Sequence, residues 1–317
     1  MSTRSKKIVI LGAGNVGATI AFTLTVEGVA GEIVLIDINK EKAKGEAMDI
    51  IQGTAFCPSV NIYAGDYPDA VGADIVIVTV GIARKPGQTR IDLANTNVGI
   101  AKSVMDQILP YAPDAIYLVV SNPVDVLTYK ILKHTGLPKN QVFGSGTMLD
   151  TSRLRTLIAE YVNVSPQNVH GYVLGEHGDS SVMPWSVIKV GGMGLIDFCK
   201  QTKLGASSTD ENMLKNIEED VRTAGAKVIA GKGATYYAIA LSVKQICDCI
   251  IRDTGSIMTV SGMMDGEYGI SDVAISLPFI VDKNGIQQSI VTPLEDAEVE
   301  MLRRSADTLK GIIKSLN

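Results

Sequence analysis

Gly12, Gly14 and Gly17, in the stretch GAGNVG, constrain this chain more than any other feature because of what flanks them. A short apolar run, Lys7 to Leu11 (KIVIL), comes before, and a pattern with Ile20 and Leu24 at helical spacing comes after. Alone, G-x-G-x-x-G is a weak signal, but between a strand and a helix it lets the backbone turn tightly and approach a pyrophosphate, whose charge then rests on the helix N-terminus. A second apolar run, Ile33 to Ile36, ends in Asp37, twenty residues after Gly17. An acid there accepts hydrogen bonds from ribose hydroxyls and repels a 2′-phosphate, so the expected cofactor is NAD rather than NADP. A βαβ unit that binds nothing is the alternative at this point.

Further apolar runs suited to buried parallel strands occur at Ile75 to Val80 and Ile116 to Val120, with weaker ones at Asn61 to Ala64 and Gln141 to Phe143. Helical patterns separate most of them, which predicts a six-stranded doubly wound α/β sheet in the first half. From about Ser145 the rhythm changes. A helix from near Asp150 carries Leu154, Leu157, Ile158 and Tyr161, and longer helices are expected over Glu218 to Ile229, Thr235 to Ile251 and Glu298 to Leu316. Strands are expected at Ser256 to Val260 and at Val273 to Ile280, the second broken by Pro278. The second half therefore reads as a separate α+β domain, as the 317-residue length also favours.

A net charge of −5 excludes a chain-wide basic surface and with it nucleic acid as the main partner. Ile8 to Val26 is free of charges, but three glycines, Asn15 and three threonines within it argue against a membrane span. Cys57, Cys199, Cys247 and Cys249 have no metal-ligand spacing and read as free thiols of a reducing compartment, which makes the expected location cytoplasmic. No metal site is expected.

Within this acidic chain, GIARKPGQTR (Gly81 to Arg90) gathers Arg84, Lys85 and Arg90. It leaves the carboxyl end of the fourth strand, which in a doubly wound sheet overhangs the ligand crevice, so it is a candidate anion clamp and lid with Gly81 and Gly87 as hinges. Farther on, GEHGD places His177 between glycines. Asp150 and Arg153, three apart on one helix face, could orient an imidazole and grip a carboxylate, whereas Arg155 points elsewhere.

GAGNVG, KPGQTR, SNPVD (Ser121 to Asp125), GSGTMLDTSRLR (Gly144 to Arg155), GEHGDSSVMPWS and KGATYY (Lys232 to Tyr237), taken in order, resemble the L-lactate/malate dehydrogenase family nearly end to end. The resemblance implies a Rossmann NAD-binding domain over residues 1–144 and a C-terminal α+β substrate domain over 145–317. It implies a reversible hydride transfer between NADH and a small 2-oxo acid. His177 is then the proton donor and acceptor, Asp150 its partner, Arg153 the clamp on the C1 carboxylate and Arg90 the lid residue that polarises the carbonyl. Asn122 and Thr235 line the substrate pocket, while Gly12, Gly14, Val16, Gly17, Asp37, Gly81 and Asn122 meet the cofactor. The family also implies a homo-oligomer, dimer or tetramer.

Arg84 decides the expected substrate. Lactate-specific relatives carry glutamine at that position and malate-specific ones arginine, so Arg84 would pair with the second carboxylate of oxaloacetate or malate. With pyruvate under a closed, dry lid an unpaired guanidinium costs roughly 3–5 kcal/mol, about half that if it swings to water. The expectation is malate first, with L-lactate dehydrogenase as the alternative, since the texture of the whole chain is closer to bacterial lactate dehydrogenases. Arg155 and His170 match positions where allosteric members bind fructose 1,6-bisphosphate across a subunit contact, and a plain surface pair is the alternative. Two readings from other classes are an NAD-dependent glycosidase, which would want a metal site, and a silent NAD-binding sensor, which the presence of His177 and Arg153 disfavours.

Overall fold

The computed structural model describes residues 5–82, 90–202 and 211–316, with the side chains of residues 90 and 211 outside the description. The elements of the first half are β1 (Lys7–Leu11), α1 (Asn15–Val26), β2 (Glu32–Ile36), α2 (Lys40–Gln52), β3 (Asn61–Ala64), β4 (Ile75–Val78), α3 (Arg90–Ile108), β5 (Ile116–Val119), α4 (Val124–Thr135) and β6 (Val142–Gly144). In the second half come α5 (Met148–Val162), β7 (Val169–His170), β8 (Lys189–Val190), β9 (Met193–Gly194), α6 (Leu195–Thr202), α7 (Glu211–Lys232) and α8 (Tyr237–Arg252). The chain closes with β10 (Ser256–Asp265), β11 (Ser271–Asp282), β12 (Gly285–Ser289) and α9 (Asp296–Ser315).

Ile8, Val9 and Ile10 are wholly buried because β1 is covered on both faces, which is why the strand reads as one continuous apolar run instead of an alternating one. β1 pairs in parallel with β2 on one side and β4 on the other, Ile8 standing opposite both Ile33 and Ile75. The order β3-β2-β1-β4-β5-β6 puts the point where the winding reverses between β1 and β4. Their carboxyl ends flank a crevice there, and both GAGNVG and the exit of β4 at Gly81 open into it.

The sheet does not stop at β6. β10, β11 and β12 add on as antiparallel strands, giving nine strands among the described residues in the order β12-β11-β10-β6-β5-β4-β1-β2-β3. A single pairing, Ser261 with Gly144, joins the two portions. Side chains keep this seam tight: a Cβ on Gly144 would lie 2.7 Å from both Thr128 and Val124 and 3.1 Å from Ser261.

β11 runs unbroken through Pro278, contrary to the break expected from sequence. The Pro278 carbonyl accepts the Ile290 N–H, on the side of β12. The missing proline N–H therefore falls past the end of β12, and its pairing with Thr259 of β10 needs no donor from it. α8 begins at Tyr237, leaving Thr235 in the link that follows α7. A smaller core of Leu154, Ile158, Val162, Val173, Ile217 and Val221 packs α5 and α7 against the short strands β7 to β9.

Candidate functional site

At the crevice, Gly12 has φ +103° and its N–H donates to Ile36 O at 2.7 Å, turning the chain sharply off β1. A Cβ on Gly17 would lie 1.9 Å from Gly12 O, so only glycine lets α1 start against this turn. Gly14 is different: a Cβ there would meet nothing within 4 Å. That open space lies at the N-terminus of α1, where no side chain caps the helix and no acid occupies the first turn. The unfilled cradle and uncapped N–H groups fit a pyrophosphate.

Asp37, just beyond β2, accepts the N–H of Ala13 at 2.6 Å and that of Asn39 at 2.8 Å, which fixes its carboxylate beside the glycine turn. Each oxygen keeps lone-pair capacity for a ribose hydroxyl. Val16 is half-buried against the core at the start of α1. Gly81 has φ +144° and is followed by Ile82, whose N–H donates to Asn97 Oδ1 at 2.9 Å. Asn97, buried in α3, also donates to the Asn122 carbonyl at 2.9 Å and so ties the exits of β4 and β5 together. Sequence reasoning missed Asn97. A polar residue on the sheet-facing side of α3 was the available signal.

The catalytic candidates His177, Asp150 and Arg153 converge from α5 and from the turn between Leu174 and Val182. α5 pins the chain next to β7 through two threonines one turn apart: Thr147 Oγ1 donates to Val173 O, and Val173 N donates to Thr151 Oγ1 at 2.9 Å. Leu174 then bridges Val182, Gly175 bridges Ser276 of β11, and the intervening turn presents His177. His177 Nδ1 lies 2.5 Å from Asp150 Oδ2, and Arg153 Nη1 donates to Asp150 Oδ1 at 2.8 Å. One carboxylate in the first turn of α5 thus carries an imidazole on one oxygen and a guanidinium on the other.

Asp150 is 7% exposed and the His177 side chain 25% exposed. Burial by itself would raise the carboxyl pKa of Asp150, but the His177 and Arg153 charges and their hydrogen bonds outweigh it and hold the pKa below the usual value. For His177, burial alone lowers the pKa, and Arg153 adds to that; the charge and hydrogen bond of Asp150, with Asp125 behind, prevail and raise it. With Nδ1 held by Asp150, Nε2 is left as the nitrogen that can exchange a proton with a ligand.

Asp125, on α4 and 2% exposed, accepts the backbone N–H of His177 at 2.8 Å and the Ser261 hydroxyl at 2.6 Å. Burial, only partly offset by those two hydrogen bonds, pushes its pKa up to about 6. On the other side of the turn, Arg222 of α7 donates to Ser181 O at 2.8 Å and pairs with Glu218, which also accepts the Trp185 indole N–H at 2.7 Å. One further turn along α7 stands Gly225, where a Cβ would come 3.8 Å from Arg153 Nη2.

Of the other sequence-derived residues, Asn122 is exposed at the exit of β5 and Thr235 is half-buried after α7. Neither hydrogen-bonds to His177, Asp150 or Arg153. Arg90 opens α3, and Arg84 lies outside the described residues. Arg155 and His170 are not brought together by a hydrogen bond. Arg155 Nη2 donates to Pro166 O at 3.3 Å, its buried Nε lacks a partner, and the residue lines a cleft of about 460 Å³ between α5, α8 and β10. His170 is exposed on β7 opposite Lys189. Among the described residues no group of three His, Cys, Asp or Glu side chains could hold a metal, and no helix is long and apolar enough to cross a membrane.

Two family models cover the chain: lactate/malate dehydrogenase, NAD binding domain, over residues 6–144, and lactate/malate dehydrogenase, alpha/beta C-terminal domain, over 147–317. The chain belongs to the lactate/malate dehydrogenase family. It is an enzyme of that family and its cofactor is NAD. The L-lactate dehydrogenase of Thermoanaerobacterium saccharolyticum is 48% identical over 311 residues, 98% of this chain and 99% of that protein. L-lactate dehydrogenase 1 of Clostridium acetobutylicum is 47% identical over 313 residues, 99% of each. Among solved structures, the minor L-lactate dehydrogenase from Enterococcus mundtii in its ligands-bound form superimposes with a TM-score of 0.95 at 40% identity, covering 99% of both chains. The fold of the family accounts for the parallel six-stranded portion and the added C-terminal part.

Proposed function

We propose that the protein is an NAD-dependent L-lactate dehydrogenase that interconverts pyruvate and L-lactate. What carries this reading is the His177–Asp150–Arg153 group beside an NAD crevice, in a chain whose relatives at 46–48% identity are L-lactate dehydrogenases. The order expected from Arg84 alone, malate before lactate, yields to that weight of relatives. Arg84 keeps oxaloacetate and malate as a second reading, because its guanidinium can pair with a second carboxylate.

Bound NADH supplies a hydride to the carbonyl carbon of the 2-oxo acid. Arg153 grips the substrate carboxylate with guanidinium N–H groups that Asp150 leaves free, orienting the molecule. His177, held as an imidazolium by Asp150, gives its Nε2 proton to the carbonyl oxygen as the hydride arrives, and takes it back in the reverse direction. Arg90 adds positive charge at that oxygen. Asn122 and Thr235 complete the substrate walls. The two domains divide after residue 144, the enzyme acts in the cytoplasm, and it is a homo-oligomer in which Arg155 and His170 could meet a sugar bisphosphate across a subunit contact.

NADH oxidation measured with pyruvate and with oxaloacetate, then repeated on Arg84→Gln, tests the substrate. Higher kcat/KM with pyruvate supports the proposal. Higher kcat/KM with oxaloacetate, reversed by Arg84→Gln, replaces it with the malate reading and leaves the family unaffected.

A further inference from the structure

Three successive backbone N–H groups fix the turn that carries His177, and each donates to a different element. Gly175 N donates to Ser276 O of β11 at 2.9 Å, Glu176 N to Ser305 Oγ of α9 at 2.9 Å, and His177 N to Asp125 Oδ2 of α4 at 2.8 Å. Two of these anchors lie within or beside the extended sheet. Ser305 is different, because it stands on the last helix of the chain, 129 residues from the peptide it holds.

Donor and acceptor counting orients this contact. The Ser180 hydroxyl donates to Glu176 Oε2, so it can only accept from Ser305, whose Oγ lies 3.0 Å away. Ser305 thus receives the Glu176 N–H and passes its own proton to Ser180, which donates back to the Glu176 side chain. The ring of hydrogen bonds closes around one residue, the immediate neighbour of His177. Ser305 is fully buried, and a Cβ on Gly175 would come within 2.7 Å of its oxygen, so the turn is packed against this hydroxyl as well as bonded to it. Seven residues earlier on the same face of α9, buried Glu298 accepts the Ser186 N–H at 3.0 Å and the Ser186 hydroxyl at 2.5 Å. α9 therefore grips the segment from Gly175 to Ser186 near both of its ends.

We propose that Ser305 is a positioning residue for His177: through the Glu176 peptide and Ser180, the C-terminal helix holds the turn so that the imidazole meets Asp150. This rests on reading His177 as the acid–base group. A peptide next to the imidazole that loses its anchor lets the ring swing, and a displacement of about 1 Å costs up to ~10²-fold in rate. The groups that set the charge state of the ring are Asp150 and Arg153 on α5 and Asp125 on α4, while Glu176 in the turn acts on Asp125. A ring that drifts from Asp150 loses the largest influence that keeps it protonated.

The test uses the full-length enzyme as Ser305→Ala, with Ser305→Cys as a near-isosteric variant should the alanine form fail to fold. Ala306→Gly serves as a control that weakens α9 without touching the turn. Steady-state NADH oxidation with pyruvate is followed against pH. The expected result for Ser305→Ala is a kcat about 10- to 100-fold lower, KM for NADH unchanged, and the pH midpoint of kcat/KM moved downward, with Ser305→Cys intermediate. Ala306→Gly should lose Tm and keep the wild-type midpoint. A wild-type midpoint and kcat in both Ser305 variants overturns the proposal, as does an equal midpoint shift in Ala306→Gly. His177→Asn is assayed in parallel: if it stays active, the acid–base reading fails, whereas an inactive His177→Asn with normal Ser305 variants removes only the clasp.

Discussion

Asp125 receives the backbone N–H of His177 at 2.8 Å from a position 2% exposed on α4, so a carboxylate beneath the site, as well as the one beside it, locates the imidazole. Removing it in Asp125→Ala leaves the Ser261 hydroxyl and the His177 N–H unpaired in the interior. The expected cost is about 2–4 kcal/mol, read as a lower Tm, together with reduced kcat. Its sign with pH follows from the raised pKa of about 6. The folded protein holds this proton more tightly than the unfolded chain, so wild-type stability falls as pH rises from the ordinary carboxyl value toward 6. The Tm gap between wild type and Asp125→Ala should therefore be wider at pH 4.5 than at pH 7.

The glycines of the first turn should separate binding from folding. Gly14 has φ −73° and open space around its missing Cβ, so Gly14→Ala is expected to keep the wild-type Tm while weakening NADH binding more than tenfold, as fluorescence titration would read. Gly17→Ala drives a methyl group to 1.9 Å from Gly12 O and should cost about 1–3 kcal/mol in stability. Equal losses of Tm in the two variants would contradict the assignment of Gly14 to the cofactor.

Arg153→Lys keeps the charge but loses the planar fork. Asp150 already takes one guanidinium nitrogen, so a lysine could not serve both it and the substrate. KM for pyruvate should rise by about tenfold to a hundredfold, with KM for NADH little changed.

Much of the N-terminal half was legible because local chemistry dictates it. Runs of β-branched residues such as Ile75 to Val78 have no other good use than a strand covered on both faces, and the glycine turn with Asp37 marks the crevice. That Asp150 and Arg153 share a face of α5 was legible too, since residues three apart on a helix are neighbours. The junction of β6 with β10 was not, because it rests on one pairing between Gly144 and Ser261, residues that carry no pattern. Ser305 escaped for a similar reason. The only trace is a serine lying between Leu302 and Leu309 in the apolar stripe of α9, and helical spacing cannot say which distant peptide such a hydroxyl meets. Pro278 misled because its missing N–H falls past the end of β12, where the ladder asks for no donor.

The most direct measurement of the central claim is the pH dependence of kcat/KM for pyruvate in wild type and in Asp150→Asn. Pyruvate reduction needs protonated His177, whose pKa the structure raises above 6.5, so wild-type kcat/KM should stay high at low pH and decline through a midpoint above that value. In Asp150→Asn the midpoint should move downward, and the rate at pH 7 should fall by about 10²–10⁴-fold. An unchanged midpoint with a near wild-type rate would mean that the imidazole and carboxylate do not act as the acid–base pair.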